Sequence, residues 1–460
     1  MFDVVVIGAG PSGLQAALSA QQEGLSVAVI EARDRVGGKV WSVPLASGRG
    51  NVDLGAAWIN DTLQPRIWSY VQKFGMPVVK QRIEGLGVVQ YAVGGDRLVF
   101  ENGHTPTFPR EELQNLEVIR DHIQEKSLKR LPNLPEDDAV TLDQYVRNLG
   151  ATENTCRLVN VWAKVMHGVE STDQSACFFI DYCRRNKGLL AIRADDHTGG
   201  QYLRLPAGAQ AIMKSMASLL GHENIHLSSP VATIENEKHK VTVITKAGRK
   251  FVARKCILSI PSTLYRDLNI QPQLPQPLQE LSGSTRLGDY NKSIVCYDTP
   301  WWREENYNGL FMSYDGYIAV ARDTSVDEKR LYCLTCFMNG KRGFEWSQMA
   351  PHDQRRAVLE QIAHAFCQGK DSEAYRPIEI FNQIWKHEEY SKGALVPIPA
   401  LGYMTKFTDI NGKAVGNLHF AGTEYASEWK GYMEGALDSG EAAAAEVMKA
   451  LSTQSVEARL

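Results

Sequence analysis

The sequence predicts an α/β fold in which two domains are interleaved along the chain. A strand, a glycine-rich turn, a helix and a second strand follow one another over residues 2–31. Strand patterns return within residues 225–261 and 418–421, and regions with helical or alternating patterns separate them. With 460 residues, the chain is longer than a single hydrophobic core supports, so two domains are expected.

The first predicted element is a buried parallel strand over residues 2–7, because a short β-branched run is typical of strands that are covered on both faces. Apolar residues then recur with helical spacing from Leu14 to Gly24, which predicts a helix. A second apolar run over residues 25–30 predicts another strand, which ends at Glu31. Together these elements form a βαβ unit.

The turn of this βαβ unit carries a dinucleotide-binding fingerprint. Gly8 permits the tight turn, Gly10 lets the backbone approach a pyrophosphate, and Gly13 lets helix and strand pack closely. The free N–H groups and the positive dipole end of the helix then face the phosphates. Glu31 lies 18 residues beyond Gly13, close to the roughly 20 expected for a carboxylate that binds a ribose hydroxyl.

A second glycine pair, Gly37 and Gly38, follows within Glu-Ala-Arg-Asp-Arg-Val-Gly-Gly-Lys and would bring more backbone against the same phosphates. This extension resembles the FAD-binding amine oxidase family, and the resemblance implies that Arg33 and Lys39 also contact FAD. The family usually has arginine at the position of Lys39. Lysine keeps the charge but loses the planar fork of donors.

Two further motifs stand near the C-terminus. Residues 421–424, Ala-Gly-Thr-Glu, follow a strand pattern, and residues 429–436, Trp-Lys-Gly-Tyr-Met-Glu-Gly-Ala, precede an alanine-rich helical pattern. They closely resemble the monoamine oxidase signature, and the resemblance now spans nearly the whole chain. It implies that FAD is bound by Gly8, Gly10, Gly13, Glu31, Arg33, Gly37, Gly38, Lys39, Gly55, Ala56, Val231 (through its backbone, at the adenine), Trp385, Gly422, Glu424, Tyr432 and Met433.

The same resemblance implies the residues at the reaction site. Lys292 falls on the family lysine that holds a water against flavin N5 and assists the reaction with O2, and Trp385 falls on a tryptophan beside the flavin. Tyr432 falls on one of two tyrosines that flank the substrate amine, whereas Leu395 replaces the second. Ala394 replaces the cysteine of members with covalent flavin. The FAD is therefore expected to be bound noncovalently. Only one of the two aromatic side chains that flank the amine, Tyr432, is expected to be present.

The domains are predicted to be discontinuous. The Rossmann-like FAD-binding domain is assigned residues 1–75, 205–285 and 386–455, the α+β substrate domain (a mixed sheet covered by helices) residues 76–204 and 286–385, and a tail residues 456–460. Gly94-Gly95 and Asn102-Gly103 predict hairpins, and residues 131–138 predict a loop. No element is predicted for the mixed-charge region that follows Phe108.

Composition excludes several other classes of function. A formal net charge of −3 gives no electrostatic argument for nucleic acid or an anionic membrane, and no apolar run is long enough to span a bilayer. Cys333 and Cys336 form a CxxC, but on a predicted strand their side chains point to opposite faces, which argues against redox or metal use. The histidines show no metal-binding spacing, so no metal site is predicted.

The resemblance implies a flavin amine oxidase. In that chemistry a hydride moves from the carbon beside a neutral amine to FAD, the imine hydrolyses, and O2 becomes hydrogen peroxide. Without a second GxGxxG, no separate nicotinamide site is predicted. One alternative is a flavin oxidase, oxidative cyclase or desaturase that acts on a nitrogen-containing biosynthetic intermediate. Another is a non-enzymatic protein of related fold, as in the Rab GDP-dissociation inhibitors.

The predicted location rests on the chain ends. The chain begins directly in a strand, without a signal peptide, and lacks the C-terminal apolar helix of the membrane-anchored family members, so a soluble protein is expected. It ends in Ala458-Arg459-Leu460, a small–basic–leucine tripeptide of the type that a peroxisomal import receptor binds. A peroxisomal location is predicted in a eukaryote and a cytoplasmic one otherwise. Whether the chain forms a homodimer is left open.

Overall fold

The structure is a computed structural model that describes residues 1–91, 96–101, 108–129, 133–369 and 371–457. Its strands are β1 (Phe2–Ile7), β2 (Val27–Ile30), β3 (Ser42–Pro44), β4 (Asn51–Asp53), β5 (Trp58–Ile59), β6 (Val79–Lys80), β7 (Leu86–Gln90), β8 (Arg97–Glu101), β9 (Leu203–Arg204), β10 (Ile225–His226), β11 (Val231–Asn236), β12 (Val241–Thr245), β13 (Lys250–Leu258), β14 (Asn269–Gln271), β15 (Arg286–Gly288), β16 (Tyr290–Tyr297), β17 (Tyr307–Ser313), β18 (Val320–Asp323), β19 (Tyr332–Asn339), β20 (Glu379–Ile384), β21 (Ala394–Ile398) and β22 (Leu418–Phe420). Its α-helices are α1 (Pro11–Gln22), α2 (Pro65–Lys73), α3 (Arg110–Leu128), α4 (Pro135–Asp138), α5 (Leu142–Asn148), α6 (Glu153–His167), α7 (Ala176–Arg185), α8 (Leu189–Arg193), α9 (Gln210–Leu220), α10 (Gln276–Ser284), α11 (Gly340–Ser347), α12 (Pro351–Ala365), α13 (Tyr403–Lys406) and α14 (Met433–Glu457).

The larger sheet has the order β10-β2-β1-β13-β12-β11-β14, and β22 also pairs with β13. Strands β10, β2, β1 and β13 run parallel, as expected for a Rossmann-like core. Alternate residues of β1 enter two different hydrophobic clusters, one of which includes helices α1, α9 and α14. The β-branched run at the start of the chain is therefore buried on both faces, and the predicted α/β fold is confirmed.

The second sheet has the order β20-β16-β19-β18-β17-β7-β8. Its neighbours are antiparallel except for β17 and β7, which are parallel. Residues of α11 and α12 share a hydrophobic cluster with this sheet, and helices α3, α6 and α7 share another. The strands of the larger sheet come from residues 2–30, 225–271 and 418–420, and those of the second from 86–101 and 307–384 together with β16. The division into domains at the residues given above stays a prediction.

Three features differ from the sequence-based expectations. The mixed-charge region forms the 19-residue helix α3, whose buried apolar stripe consists only of Leu116, Ile119 and Ile123. Residues 135–138, predicted as loop, form one helical turn, which Pro135 favours at its first position. The short helix α8 was not predicted either.

Several other predictions concern residues outside the described part of the chain. The glycines predicted to make hairpins at 94–95 and 102–103 lie there, as does the tripeptide Ala458-Arg459-Leu460. Within the described part, none of the helices is both long and apolar enough to cross a membrane. No cluster of three or more metal-ligating side chains occurs among the same residues. Cys333 and Cys336 of β19 do enter different hydrophobic clusters, as the strand prediction requires.

Candidate active site

A single cavity of about 1140 Å³ runs from the glycine turn after β1 to the face of the second sheet. This volume exceeds the roughly 300–1,000 Å³ of a pocket for one drug-sized ligand, so it has room for a dinucleotide and a second molecule. The predicted residues that line it are Gly8, Gly10, Glu31, Arg33, Gly38, Lys39, Gly55, Ala56, Val231, Lys292, Trp385, Leu395, Gly422, Glu424, Tyr432 and Met433. Gly13 and Gly37 lie outside the lining.

The glycine turn leaves open space at the N-terminus of α1. A Cβ atom on Gly10 would meet no protein atom within 4 Å, whereas one on Gly13 would overlap the Gly8 carbonyl and the Ser259 hydroxyl. Gly13 therefore allows the helix to lie against the strand, and Gly10 leaves room for a ligand beside the helix N-terminus. Gly37 supports the turn from behind, because its N–H donates to the Ala9 carbonyl at 2.8 Å.

Glu31 stands at the end of β2 and is 4% exposed. Its Oε2 accepts the Ala9 N–H at 2.7 Å, and its Oε1 accepts the Arg33 N–H at 2.9 Å. A carboxylate offers about four acceptor positions, so two remain for the hydroxyls of a ribose. Pro230 and Val231 line the same end of the cavity.

Two cations flank this part of the cavity. Arg33 donates from Nη2 to the Ser391 hydroxyl at 2.9 Å. Lys39 donates from Nζ to the Leu395 carbonyl at 2.9 Å. Burial lowers the pKa of Lys39 to about 8, against the opposing effect of Glu424. The ammonium of Lys39 has three donors, so two are left for a ligand.

Lys292 lies on β16 with its ammonium inside the protein and is 3% exposed. Nζ donates to the carbonyls of Asp53 at 2.8 Å and Gly55 at 2.6 Å. It lies 5.2 Å from the ring centre of Phe337 and 5.8 Å from that of Trp58. Burial lowers the pKa of Lys292 to about 8. One of the three ammonium donors remains unused, and Lys292 lines the cavity.

Tyr432, Leu395 and Trp385 line the cavity from segments near the C-terminal end of the chain. Trp385 is buried, and its Nε1 donates to the Leu54 carbonyl at 3.2 Å. The Tyr432 hydroxyl accepts Gln201 Nε2 at 3.3 Å, and burial raises the pKa of Tyr432. Leu395 gives the cavity an aliphatic wall at the position where the family pattern has a tyrosine.

The sequence matches the family described as flavin containing amine oxidoreductase over residues 11–448. The chain belongs to this family. It is an FAD-dependent amine oxidase. The non-enzymatic alternative drawn from a related fold is therefore set aside.

Individual relatives agree with this assignment. The chain is 29% identical to a probable flavin-containing monoamine oxidase A of Dictyostelium discoideum, with 96% of each chain covered. It is 31% identical to a flavin-containing amine oxidase of Danio rerio, covering 98% of this chain and 86% of the relative.

Two solved structures have the same fold. Cyclohexylamine oxidase from Brevibacterium oxydans gives a TM-score of 0.90 at 26% identity, with 98% of this chain and 99% of that chain covered. Putrescine oxidase bound to putrescine gives a TM-score of 0.90 at 24% identity, with 97% and 99% covered, and this likeness shows the fold.

The residues present fit FAD. The open space at Gly10 suits a pyrophosphate at the N-terminus of α1, and the spare acceptors of Glu31 suit a ribose. The lining continues past Gly55 and Lys292 to Tyr432 and Met433, so the far end of a dinucleotide would lie between the two sheets. The individual roles of these residues stay predictions.

Several lining residues of this amine oxidase were not identified from the sequence. Tyr290 precedes Lys292 by two residues on β16, so strand alternation alone could have indicated that both face the same cavity. Phe337 lies opposite Lys292 in the strand register, a pairing that no local pattern indicates. Tyr182, Gln201 and Arg193 come from other segments, and no motif indicated them.

Proposed function

We propose that this amine oxidase removes a hydride from the carbon beside an amine nitrogen and uses O2 as its electron acceptor, releasing an imine and hydrogen peroxide. When bound, FAD supplies the hydride acceptor and the group that O2 reoxidises. The observation that supports the proposal is the position of Lys292. Its unused ammonium donor lies in the same cavity as Tyr432 and as the proposed dinucleotide site formed by Gly8, Gly10 and Glu31.

Lys292 is proposed to hold a water molecule at the reaction site. Its two hydrogen bonds to the Asp53 and Gly55 carbonyls fix the ammonium, and its third N–H is free to bind the water. Gly55 belongs to the segment predicted to contact the flavin, so the same segment would position both groups. A fixed donor of this kind stabilises developing charge without reorganisation.

The aromatic lining favours a neutral amine. Tyr432, Tyr290, Phe337 and Trp58 surround this part of the cavity, and a charged ammonium loses hydration on entering such a site. Only the neutral amine has a free lone pair to assist departure of the hydride. Binding is therefore proposed to be accompanied by loss of a proton from the substrate ammonium.

The FAD is proposed to be noncovalent, because Ala394 offers no thiol for a link to the flavin. Acid precipitation of the purified protein should leave the yellow flavin in the supernatant. Flavin that remains with the pellet would contradict this proposal.

A panel of amines with a peroxide readout tests the proposed reaction. Primary, secondary and cyclic amines should each be scored for peroxide release and for bleaching of the flavin under anaerobic conditions. Bleaching without peroxide on return to air would refute O2 as the acceptor. A ring-closed or desaturated product with intact nitrogen would instead support the oxidative cyclase or desaturase alternative.

A further inference from the structure

The part of the cavity beyond Lys292 is a chamber between the second sheet and helices α3, α6 and α8. Its walls are mainly apolar and aromatic, and they include Leu116, Val161, Trp162 and Tyr314. A chamber with only such walls would hold an alkyl or aryl group by burial of apolar area. One side chain of the chamber does not suit that use.

Arg193, the last residue of α8, lines this chamber and has an exposed side chain. Its guanidinium carbon lies 4.8 Å from the ring centre of Trp162. Stacking of this kind uses the face of the guanidinium and leaves the N–H donors at its edge available. No side-chain hydrogen bond or ion pair joins Arg193 to the described residues.

The nearby charges do not neutralise Arg193. Asp195 forms an ion pair with Arg322, and its other oxygen is buried without a hydrogen-bond partner among the described residues. Asp196 accepts the backbone N–H and the hydroxyl of Thr198 at 2.8 and 2.5 Å. Burial lowers the pKa of Arg193 to about 10, with further lowering from Arg120 and Arg322 and a partial offset from Asp195. The guanidinium still carries its charge at neutral pH.

Arg120 and Lys187, the other cations of this lining beside Arg322, already have partners. Arg120 donates to Asp121 at 2.7 Å, and Lys187 pairs with Glu428 at 2.8 Å. Among the cations that line the chamber, only Arg193 therefore has no ion pair with a described residue. An unpaired guanidinium beside apolar walls is available to an anion that enters the cavity.

We propose that the amine substrate carries a carboxylate and that Arg193 binds this group in the chamber. The proposal rests on the amine oxidase reaction described above and adds the chemical class of its substrate. A carboxylate matches the edge of a guanidinium with two parallel hydrogen bonds.

The strand register gives the distance across the chamber from Lys292 to Arg322. Lys292 of β16 is opposite Phe337 of β19, which is opposite Val320 of β18. Arg322 follows two residues later on β18, on the same face as Val320. Strand spacing and rise put the Cα atoms of Lys292 and Arg322 roughly 12 Å apart. Arg322 lines the same chamber as Arg193 and lowers its pKa. The proposed substrate therefore has its carboxylate several bonds from its amine, as in an ω-amino acid.

The test compares ω-amino carboxylates of increasing length with n-alkylamines of the same carbon number. Arg193→Met should lower kcat/KM for the best amino carboxylate about 10- to 100-fold, mainly through KM, and leave the matched alkylamine within about twofold. Arg193→Lys should recover part of the loss. Arg147→Met, which removes a cation from the exposed face of α5, should leave kcat/KM unchanged for both substrates.

A binding measurement separates this proposal from the oxidase reaction. Hexanoate, which has no oxidisable amine, should bind the holoenzyme in calorimetry, and 1-hexanol should bind much more weakly. In the Arg193→Met variant, the heat of hexanoate binding should disappear. If hexanoate binds through Arg193 but no amine is oxidised, the anion site stands and the proposed reaction fails.

Three results would overturn the proposal. The first is that the wild type prefers alkylamines and Arg193→Met leaves this preference unchanged. The second is that diamines are preferred to amino carboxylates, which would assign recognition to Asp195 or Asp196. The third is that hexanoate binds the wild type and Arg193→Met equally.

Discussion

Replacing Lys292 with methionine is the sharpest test of the reaction site. Methionine keeps most of the side-chain volume but removes the ammonium that donates to the Asp53 and Gly55 carbonyls. If this ammonium positions a water molecule for the oxygen reaction, its loss should slow reoxidation of the reduced enzyme by about 100-fold, the usual effect of one positioned polar group. Reduction by substrate should change far less.

The pH dependence follows from the burial of Lys292. A lysine is charged below its pKa, and burial lowers the pKa of Lys292 to about 8. The charged fraction therefore falls from about nine-tenths at pH 7 to about one-tenth at pH 9. Reoxidation by the wild type should fall about tenfold over this range, whereas reoxidation by Lys292→Met should be flat.

Stopped-flow absorption of the flavin measures both half-reactions. Reduction is followed anaerobically after mixing with substrate, and reoxidation after mixing the reduced enzyme with oxygenated buffer. Lys255→Met is a matched control, since Lys255 is also a buried strand lysine, donates to Asn417 Oδ1 at 2.9 Å and lies outside the cavity. Unchanged reoxidation in Lys292→Met, or an equal loss in both half-reactions, would make Lys292 a structural residue.

Further predictions concern the glycine turn after β1, the cavity wall at Leu395 and the C-terminal tripeptide. Gly10→Ala should fold normally but lose FAD, because the methyl group occupies only ligand space, whereas Gly13→Ala should lower the free energy of unfolding by about 1–3 kcal/mol or more through overlap with backbone; flavin content and thermal melts of both variants measure this, and equal melts would refute it. Leu395→Tyr should raise kcat/KM for a short primary amine relative to a bulky one by roughly three- to thirtyfold by completing the aromatic pair with Tyr432, and an equal change for both amines would assign selectivity elsewhere. A fluorescent protein fused ahead of residues 458–460 should enter peroxisomes of a eukaryotic cell, and diffuse fluorescence with a free C-terminus would count against that location.

The residues expected to bind the dinucleotide could be predicted because they lie close together in sequence. Gly8, Gly10 and Glu31 belong to one βαβ unit whose spacing is fixed by strand and helix geometry. Glycine is also required at residue 13 because of a tertiary contact, which the sequence alone does not reveal. The Cβ of any other residue would also meet the hydroxyl of Ser259, which reaches the turn only through the pairing of β1 with β13.

The chamber around Arg193 could not be predicted in the same way. Trp162 and Arg193 lie on different helices, and their contact depends on tertiary packing that no periodic pattern encodes. Helix α3 was missed because its buried stripe is narrow and charged residues surround it. Family resemblance identified Lys292 and Tyr432, since those positions have fixed neighbours in sequence, but gave no signal for Arg193.

The contact between α1 and α14 has a consequence for how the enzyme is made in the cell. Gly440 of α14 leaves room for the backbone at Ser12 and the side chain of Gln15, so the first helix of the chain rests on the last. During synthesis α1 therefore lacks this neighbour until residues 433–457 have left the ribosome. FAD is expected to bind only after residues 433–457 have been synthesised, and shorter nascent chains would expose the apolar side of α1 to chaperones.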